Sequence, residues 1–555
     1  MLKAKKLFLS IMVVSIFVIG IFSLTSCNRG DDSGKIIDKE NFSTIKNDYQ
    51  LYKESKPQVM PEGEDIVIDG ANYDINGVTT DSAGNVTSII EIDVSKDKLN
   101  PTNGTQELKK LVECFVDIDQ SGYSQNDYQY IYDCIFDGHS SIQITNGTKK
   151  ATLDKIVENS KNLISNRISS TDKVLIHKSS GKVTWKVNIE KAGFYNLYLN
   201  YFTVSGYSSS IERKLMINGE IPFEGADSFT FSRVWKDDPQ SYDENGALKV
   251  DTNGNDIKPQ QIEVFTFKEG YFKDDMGYVT EPYMFYFEEG ENEISLISIK
   301  EPILIDQLHI QSVSQTPTYE EYLAALKEKY GEPSLNNQTT GAMQAEKTAY
   351  KSSPTLYPLT DRSSSNTKPF SLKETRKNYI GGEQWKILGD WISWDFSVPE
   401  DGYYNISMRA RQNLIRGMYS SRIAYISEDG GTNQVLFDEL NDVQFNFSSD
   451  WQNVTLGNGE EDYLFYFQKG KTYTLTLEVT LGAYAPLIER IQSTIDDLNR
   501  TYRMIVSYTT TSPDKNRDYE LTSKFPELIS DLTKYHDELA DVSNSIAEIS
   551  RSEER

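Results

Sequence analysis

From Trp185 the chain alternates apolar and polar positions: Trp185-Lys-Val-Asn-Ile-Glu, a turn closing at Gly193, then Phe-Tyr195-Asn196. A period of two places successive apolar side chains on one face of a β-strand. The pattern returns at Trp394-Asp-Phe-Ser-Val-Pro, with Gly402 and then Tyr-Tyr404-Asn405. A second pair follows in the same order, Tyr283-Met-Phe-Tyr-Phe-Glu-Glu-Gly290 and Tyr463-Leu-Phe-Tyr-Phe-Gln-Lys-Gly470. Each glycine leads into another alternating run, from Glu293 and from Tyr473. Two matching pairs in one order predict two copies of a single all-β unit. The stretch Ile66–Tyr73 aligns with Ala342–Tyr350, so copy 1 opens far ahead of Trp185. The spacing predicts sandwich 1 over residues 57–316, with an insertion at about 80–170, and sandwich 2 over 340–485.

Short helices are expected before each copy, at 45–56 and within 317–335, the second opened by Pro317 and closed by Gly331 and Pro333. After residue 485 the period changes. Ile488, Ile491, Ile495, Leu498, Tyr502 and Ile505 step by three and four, as do Leu528, Leu532, Tyr535, Leu539, Val542, Ile546 and Ile549. Two such seams around Ser512-Pro513-Asp514 predict an αα-hairpin over 486–555. The fold class expected is mainly β: two jelly-roll sandwiches and a C-terminal helical hairpin.

The 34 tyrosines and 24 phenylalanines argue against disorder. A net charge of −26 argues against nucleic-acid binding, which needs clustered Lys and Arg. The four histidines are dispersed, and HExxH, Walker and GxSxG motifs are missing; Gly138-His-Ser-Ser-Ile lacks the closing glycine. The expectation is a protein that binds and does not catalyse.

The N-terminus carries Lys3, Lys5 and Lys6 ahead of an apolar run from Leu7 to Leu24. Leu24-Thr-Ser-Cys27 looks like a bacterial lipobox, whose Cys is lipidated and becomes the mature N-terminus; the alternative is a plain transmembrane anchor. Residues 1–26 then form a lipoprotein signal peptide and 27–56 a polar tether with its short helix. Either way the bulk lies on the extracellular face of the cell membrane. The acidic chain repels anionic lipid, so attachment falls to the lipid on Cys27. In that oxidising compartment Cys114 and Cys134 are left as a disulfide or as two unpaired thiols.

Several ordered motifs then carry a resemblance. They include Tyr195-Asn-Leu-Tyr-Leu-Asn-Tyr, Ile217-Asn-Gly-Glu-Ile-Pro-Phe223, Phe231-Ser-Arg-Val-Trp235, Gln344-Ala-Glu346, Asn378-Tyr-Ile-Gly-Gly-Glu-Gln-Trp385, Arg409-Ala-Arg-Gln-Asn413 and Arg517-Asp-Tyr-Glu-Leu521. Over residues 45–550 the chain resembles the large extracellular solute-binding lipoproteins of Gram-positive carbohydrate ABC importers. The resemblance implies tandem galactose-binding-like sandwiches, carbohydrate as ligand and an ABC permease as partner. It departs in two places. The family continues into a solute-binding domain past the position of Arg555, and Ile426-Ser-Glu-Asp-Gly-Gly-Thr-Asn433 replaces a short turn. A protein-interaction scaffold and an accessory of a glycan-degrading system are the rival functions.

A sugar offers apolar C–H faces and a polar edge, so its site pairs aromatic faces with hydrogen-bonding side chains. Candidates in copy 1 are Trp235 and the loop after it, with Tyr242, Tyr271 and Tyr278; in copy 2 they are Trp385, Trp391, Arg411, Gln412, Asn413 and Trp451. Trp185 and Trp394 are expected in the core. Sugar-binding sandwiches of the resembled type often hold a structural calcium. The resemblance assigns it to Asp69 with Asp306, and to Gln344 with Glu346 on one strand face. In the insertion, Asp117, Asp119, Ser121 and Asp127 read either as a calcium loop one residue short or as a polar turn before a helix.

Overall fold

The computed structural model describes residues 49–116, 122–334, 343–431 and 433–552. The lipobox, Cys27, Asp117, Asp119 and Ser121 lie outside the described residues. No helix among the described residues is long and apolar enough to cross a membrane. Contacts divide the chain into two compact units, one holding Asp496–His536 and one holding Thr44–Ile495 with Asp537–Arg555.

The fold is mainly β. In the first sandwich, a seven-stranded sheet runs in the order Phe267–Tyr271, Gly193–Thr203, Ile303–Ser312, Lys173–His177, Ile89–Asp93. Asp65–Asp69 adds to Ile303–Ser312 and Met284–Phe287 to Gly193–Thr203. A four-stranded sheet of Gly181–Ile189, Gly290–Lys300, Ile211–Ile217 and Phe229–Phe231 packs against it. One core joins them through Trp185, Phe194, Tyr195, Leu296 and Leu308, all sealed from solvent. Alternation explains the split of faces: Leu197, Leu199 and Tyr201 enter this core, while Asn196, Tyr198 and Asn200 between them face the other way.

The insertion is helical over Gln106–Glu113, Gln125–Phe136 and Gly147–Ser165. Its apolar side, with Leu108, Leu111, Ile131, Leu153 and Ile156, covers one end of that outer sheet face at Val174, Ile176, Phe202 and Leu304. The strand Ile89–Asp93 belongs to the sheet itself.

The second sandwich is built on the order Val443–Asn446, Tyr419–Glu428, Tyr473–Thr480, Trp391–Phe396, Tyr350–Lys351. Ile392, Trp394, Ala424, Phe437, Phe465 and Leu477 form its core. Equivalent bonds recur in both copies. Trp185 Nε1 donates to Gly70 O at 3.0 Å, and Trp394 Nε1 to Ala345 O at 2.7 Å. Tyr195 and Tyr404 each donate to the carbonyl four residues back, at 2.7 Å. Asn196 and Asn405 amides donate to Tyr283 O and Tyr463 O at 3.0 and 3.1 Å. The helices Tyr49–Ser55 and Tyr319–Tyr330 each place a tyrosine hydroxyl, Tyr49 and Tyr319, to accept from Met284 N and Leu464 N at 3.0 Å.

Two strands cross between the copies. Val234–Asp237 and Gln261–Val264, from the long loop of copy 1, extend the second sheet by pairing onto Tyr350–Lys351. Lys351, fully buried, meets Asp237 there in an ion pair whose acid is 7% exposed.

One open alternative is decided and two expectations are corrected. Cys114 and Cys134 are free thiols: Cys114 is buried at the end of Gln106–Glu113 with its Sγ on Lys110 O at 3.3 Å, and Cys134 sits on the next long helix. Gln344 and Glu346 lie in a turn, not on one strand face, because pairing starts only at Tyr350. The helix Ala485–Thr509 buries a seam offset from the expected one, whereas Leu528–Ser552 buries residues of its expected seam. Leu487, Thr494, Thr501 and Met504 are buried on the first and Leu528, Tyr535 and Val542 on the second, while Ile495, Tyr502 and Leu532 are 38%, 57% and 39% exposed. Within Asp496–His536 a small core forms from Met504, Phe525 and Leu528. In the larger unit Arg490 binds Glu538 and Asp541 at 2.5 and 2.6 Å.

Candidate functional site

The edge strand Phe267–Tyr271 of the first sandwich faces the outer surface of the second sandwich's sheet across a cleft of about 1050 Å³. Its position follows from alternation. Leu475 and Leu477 turn into the second core, so Thr476 and Glu478 face outward, as Trp391 does opposite Glu478. Gly270 permits the approach of strands at the cleft wall: a Cβ there would stand 2.5 Å from Phe231 and 2.9 Å from Tyr201.

The two walls are tied at named points. Trp391 Nε1 donates to Ser232 Oγ at 3.3 Å. Lys268 Nζ stands 4.0 Å from the Trp391 ring centroid. Lys273 Nζ donates to Tyr425 Oη at 2.9 Å and lies 3.9 Å from Glu478. Burial alone would lower the Lys273 ammonium, but Glu478 and Tyr425 together raise it. Burial pushes Lys268 down to about 8, against the opposing pull of Glu478 and Glu269. Burial raises the Asp390 carboxyl, partly offset by Ser352 Oγ at 2.7 Å.

Three buried polar atoms on these walls have no hydrogen-bond partner among the described residues: Asn200 Oδ1, Thr476 Oγ1 and Asp390 Oδ2. Asn200 and Thr476 are each 3% exposed, one from each sandwich. Such atoms are costly when left bare and are satisfied by water or by a polar ligand.

Of the candidate sugar contacts, the cleft gathers Trp235, Tyr271 and Trp391. Tyr278 sits beside it in the turn held by Asp274, whose Oδ2 accepts the Tyr278 amide at 2.7 Å. Tyr242 donates to Asp237 at the junction of the copies. Trp385 packs against Trp394 and under Arg422, 4.4 Å from its ring. Arg411 and Trp451 lie apart from the cleft, both bonded to Asp361 at 2.8 and 3.2 Å, with the guanidinium 4.9 Å from the indole. Gln412 closes the turn after it by accepting from Leu414 N, and Asn413 is exposed.

Of the residues assigned to calcium, Asp306, Asp69 and Asp127 bond to neighbours within the fold. Asp306 accepts the Ile168 and Ser169 amides at 3.1 Å and faces Arg167 at 3.5 Å. Asp69 accepts from Ala71 N, Ser169 Oγ and Thr171 Oγ1. Asp127 completes a capping box with Ser124 and pairs with Lys149 at 2.6 Å. Glu346 is buried, which raises its carboxyl to about 7. Among the described residues, no group of three or more His, Cys, Asp or Glu is placed to hold a metal ion.

Sequence reasoning missed Asn200, Lys268, Thr476 and Glu478. Asn200 left a signal, a second asparagine on the alternate face of the apolar strand Gly193–Thr203. Thr476 left none, since Thr is an ordinary outward residue in a strand.

Residues 486–555 match the family model described as the bacterial solute-binding protein, 4-helix bundle domain. No curated protein matches the chain. Among solved structures, a family 35 carbohydrate-binding module from Clostridium thermocellum is 16% identical with a TM-score of 0.16, over 27% of this chain and 83% of that one. A Podospora anserina GH26-CBM35 β-(1,4)-mannanase is 9% identical at 0.15, over 27% of this chain and 24% of that one. A Paenibacillus xanthan lyase is 11% identical at 0.14, over 57% of this chain and 23% of that one. The matched parts thus span about a quarter of the mannanase and of the lyase.

Proposed function

We propose that the protein binds carbohydrate in the cleft between its two sandwiches, without covalent chemistry. The observation that carries this is the pair of buried, unpartnered polar atoms, Asn200 Oδ1 and Thr476 Oγ1, lining one cavity from opposite walls with Trp235 and Tyr271. The cavity, at about 1050 Å³, suits a ligand of several sugar units. The match of residues 486–555 to a solute-binding protein domain supports a place in a solute-binding system. The finer reading is a lipoprotein anchored through Cys27 that presents saccharide to an ABC permease; the lipobox-like Leu24–Cys27 supports it. Anchoring raises the effective concentration of a weak binder at the membrane.

A glycan array probed with the full chain tests the proposal, followed by titration of Asn200→Ala. Saccharide binding that this substitution weakens at least threefold is expected. A scaffold for protein partners is the second reading, favoured by Tyr502 and Ile529, apolar helix positions 57% and 59% exposed. Silence across the array would favour it.

A further inference from the structure

The nature of the ligand follows from the charges on the cleft walls, granted that the cleft is the carbohydrate site. Four cations line it: Arg167, Arg233, Lys268 and Lys273. Three are matched. Arg167 faces Asp306 at 3.5 Å, Arg233 holds Glu301 at 2.8 Å as well as Glu263, and Lys273 has Glu478 at 3.9 Å. The Lys268 ammonium makes no hydrogen bond or ion pair with any described residue; its contact is the Trp391 ring, 4.0 Å from Nζ. That indole is itself fixed by its bond to Ser232, so the ammonium is held in place before any ligand arrives.

The acids around it are committed elsewhere or act at a distance. Glu478 serves Lys273, Asp274 accepts the amides of Met276, Tyr278 and Val279, Asp275 accepts from Thr230 N and Oγ1, and Asp390 spends one oxygen on Ser352. Glu269 and Glu478 act on Lys268 through space and oppose the effect of burial. A cation in a partly enclosed cleft, stripped of water on the indole side, gains more from an anion than the same cation in bulk water does.

We propose that the saccharide taken by the cleft carries a carboxylate, as a uronic acid unit does, and that Lys268 meets that carboxylate while Thr476, on the same sheet face as Trp391, meets a ring hydroxyl. One ammonium matches one singly charged group, and its three N–H donors suit a carboxylate approached from the open side. Discrimination comes from charge-assisted bonding that a neutral hydroxymethyl group cannot reproduce.

The test is calorimetric titration of the full chain with uronate oligosaccharides from pectin, glucuronoxylan and xanthan. Each is measured beside the same oligosaccharide after chemical reduction of its carboxyls to hydroxymethyl groups. At least one acid form should bind about tenfold or more tightly than its reduced form. Lys268→Met should bring that ratio close to one while leaving the reduced form's affinity within about twofold, and Lys268→Arg should keep the preference. The ratio should also shrink as pH rises past about 8, where the ammonium loses its proton. Equal affinity of acid and reduced forms overturns the uronate proposal and leaves the cleft as a neutral-sugar site. A sulfated oligosaccharide that outbinds every uronate overturns it as well. Binding of no saccharide overturns both this proposal and the function it rests on. If Lys268→Met does not fold, Lys268→Gln and the wild-type ratio decide.

Discussion

Replacing Thr476 by valine should make the protein more stable and a poorer binder. Thr476 lies mid-strand in Tyr473–Thr480, opposite Tyr425 and Ser393, and is 3% exposed. Its Oγ1 has no partner among the described residues. A buried hydroxyl left unmade costs about 1–3 kcal/mol, and an added methyl gains about 0.8 kcal/mol on burial. Thr and Val have nearly the same shape, so neither cavity nor overpacking enters. Because the atom borders an open cleft, part of the penalty is relieved by solvent. The expected net is about 1 kcal/mol in favour of the variant. Binding should move the other way: one neutral hydrogen bond is worth about 0.5–1.5 kcal/mol, so affinity should fall about three- to tenfold. Urea unfolding followed by tryptophan fluorescence gives the first quantity and titration with the array-selected saccharide the second. A variant less stable by more than about 1 kcal/mol would show that the hydroxyl is bonded within the fold. An unchanged affinity would remove the second sandwich's wall from the site.

His177 is fully buried, with Nδ1 accepting from Arg213 Nε at 3.2 Å and Nε2 facing Gly181 O at 3.1 Å, so the ring must be neutral. Burial, then Arg213, lowers its pKa to about 3; an unfolded histidine near 6.5 takes up a proton that the fold refuses. Stability should therefore fall with pH between about 6.5 and 3, by up to about 1.4 kcal/mol per unit, and His177→Gln should show a shallower slope in urea midpoints across that window. Lys351→Met leaves Asp237 buried without its cation and should cost about 3–5 kcal/mol. Faster proteolysis near residues 238–260 would report it, and unchanged stability would refute the role of that pair. Leu528→Asp should unfold the small core with Met504 and Phe525, whereas Leu532→Asp, at a position 39% exposed, should cost less than about 1 kcal/mol; equal losses of helical circular dichroism on heating would refute the seam.

What the sequence determined by itself is whatever depends on neighbours a few residues away. Alternation around Trp185 and Trp394 specified two sandwiches, because each strand's inward set is written every second residue. The tyrosines and asparagines that follow do the same local job twice, bonding a carbonyl four residues back and the strand beside them. Helices at 319–330 and after 485 were legible from caps and period, but not the face that Ala485–Thr509 buries. Counting Ile and Leu chose a seam that leaves Tyr502 and Leu532 exposed, while Thr494 and Thr501, polar by type, pack inside. The cleft was decided only by tertiary structure. Asn200, Lys268, Trp391 and Thr476 are far apart in the chain, and Lys268 and Thr476 look ordinary in their own strands. They meet because Val234–Asp237 leaves its own copy to pair with Tyr350–Lys351 of the other. Edge pairing needs only free backbone N–H and C=O groups, which every residue but proline carries, so no side-chain pattern announces it.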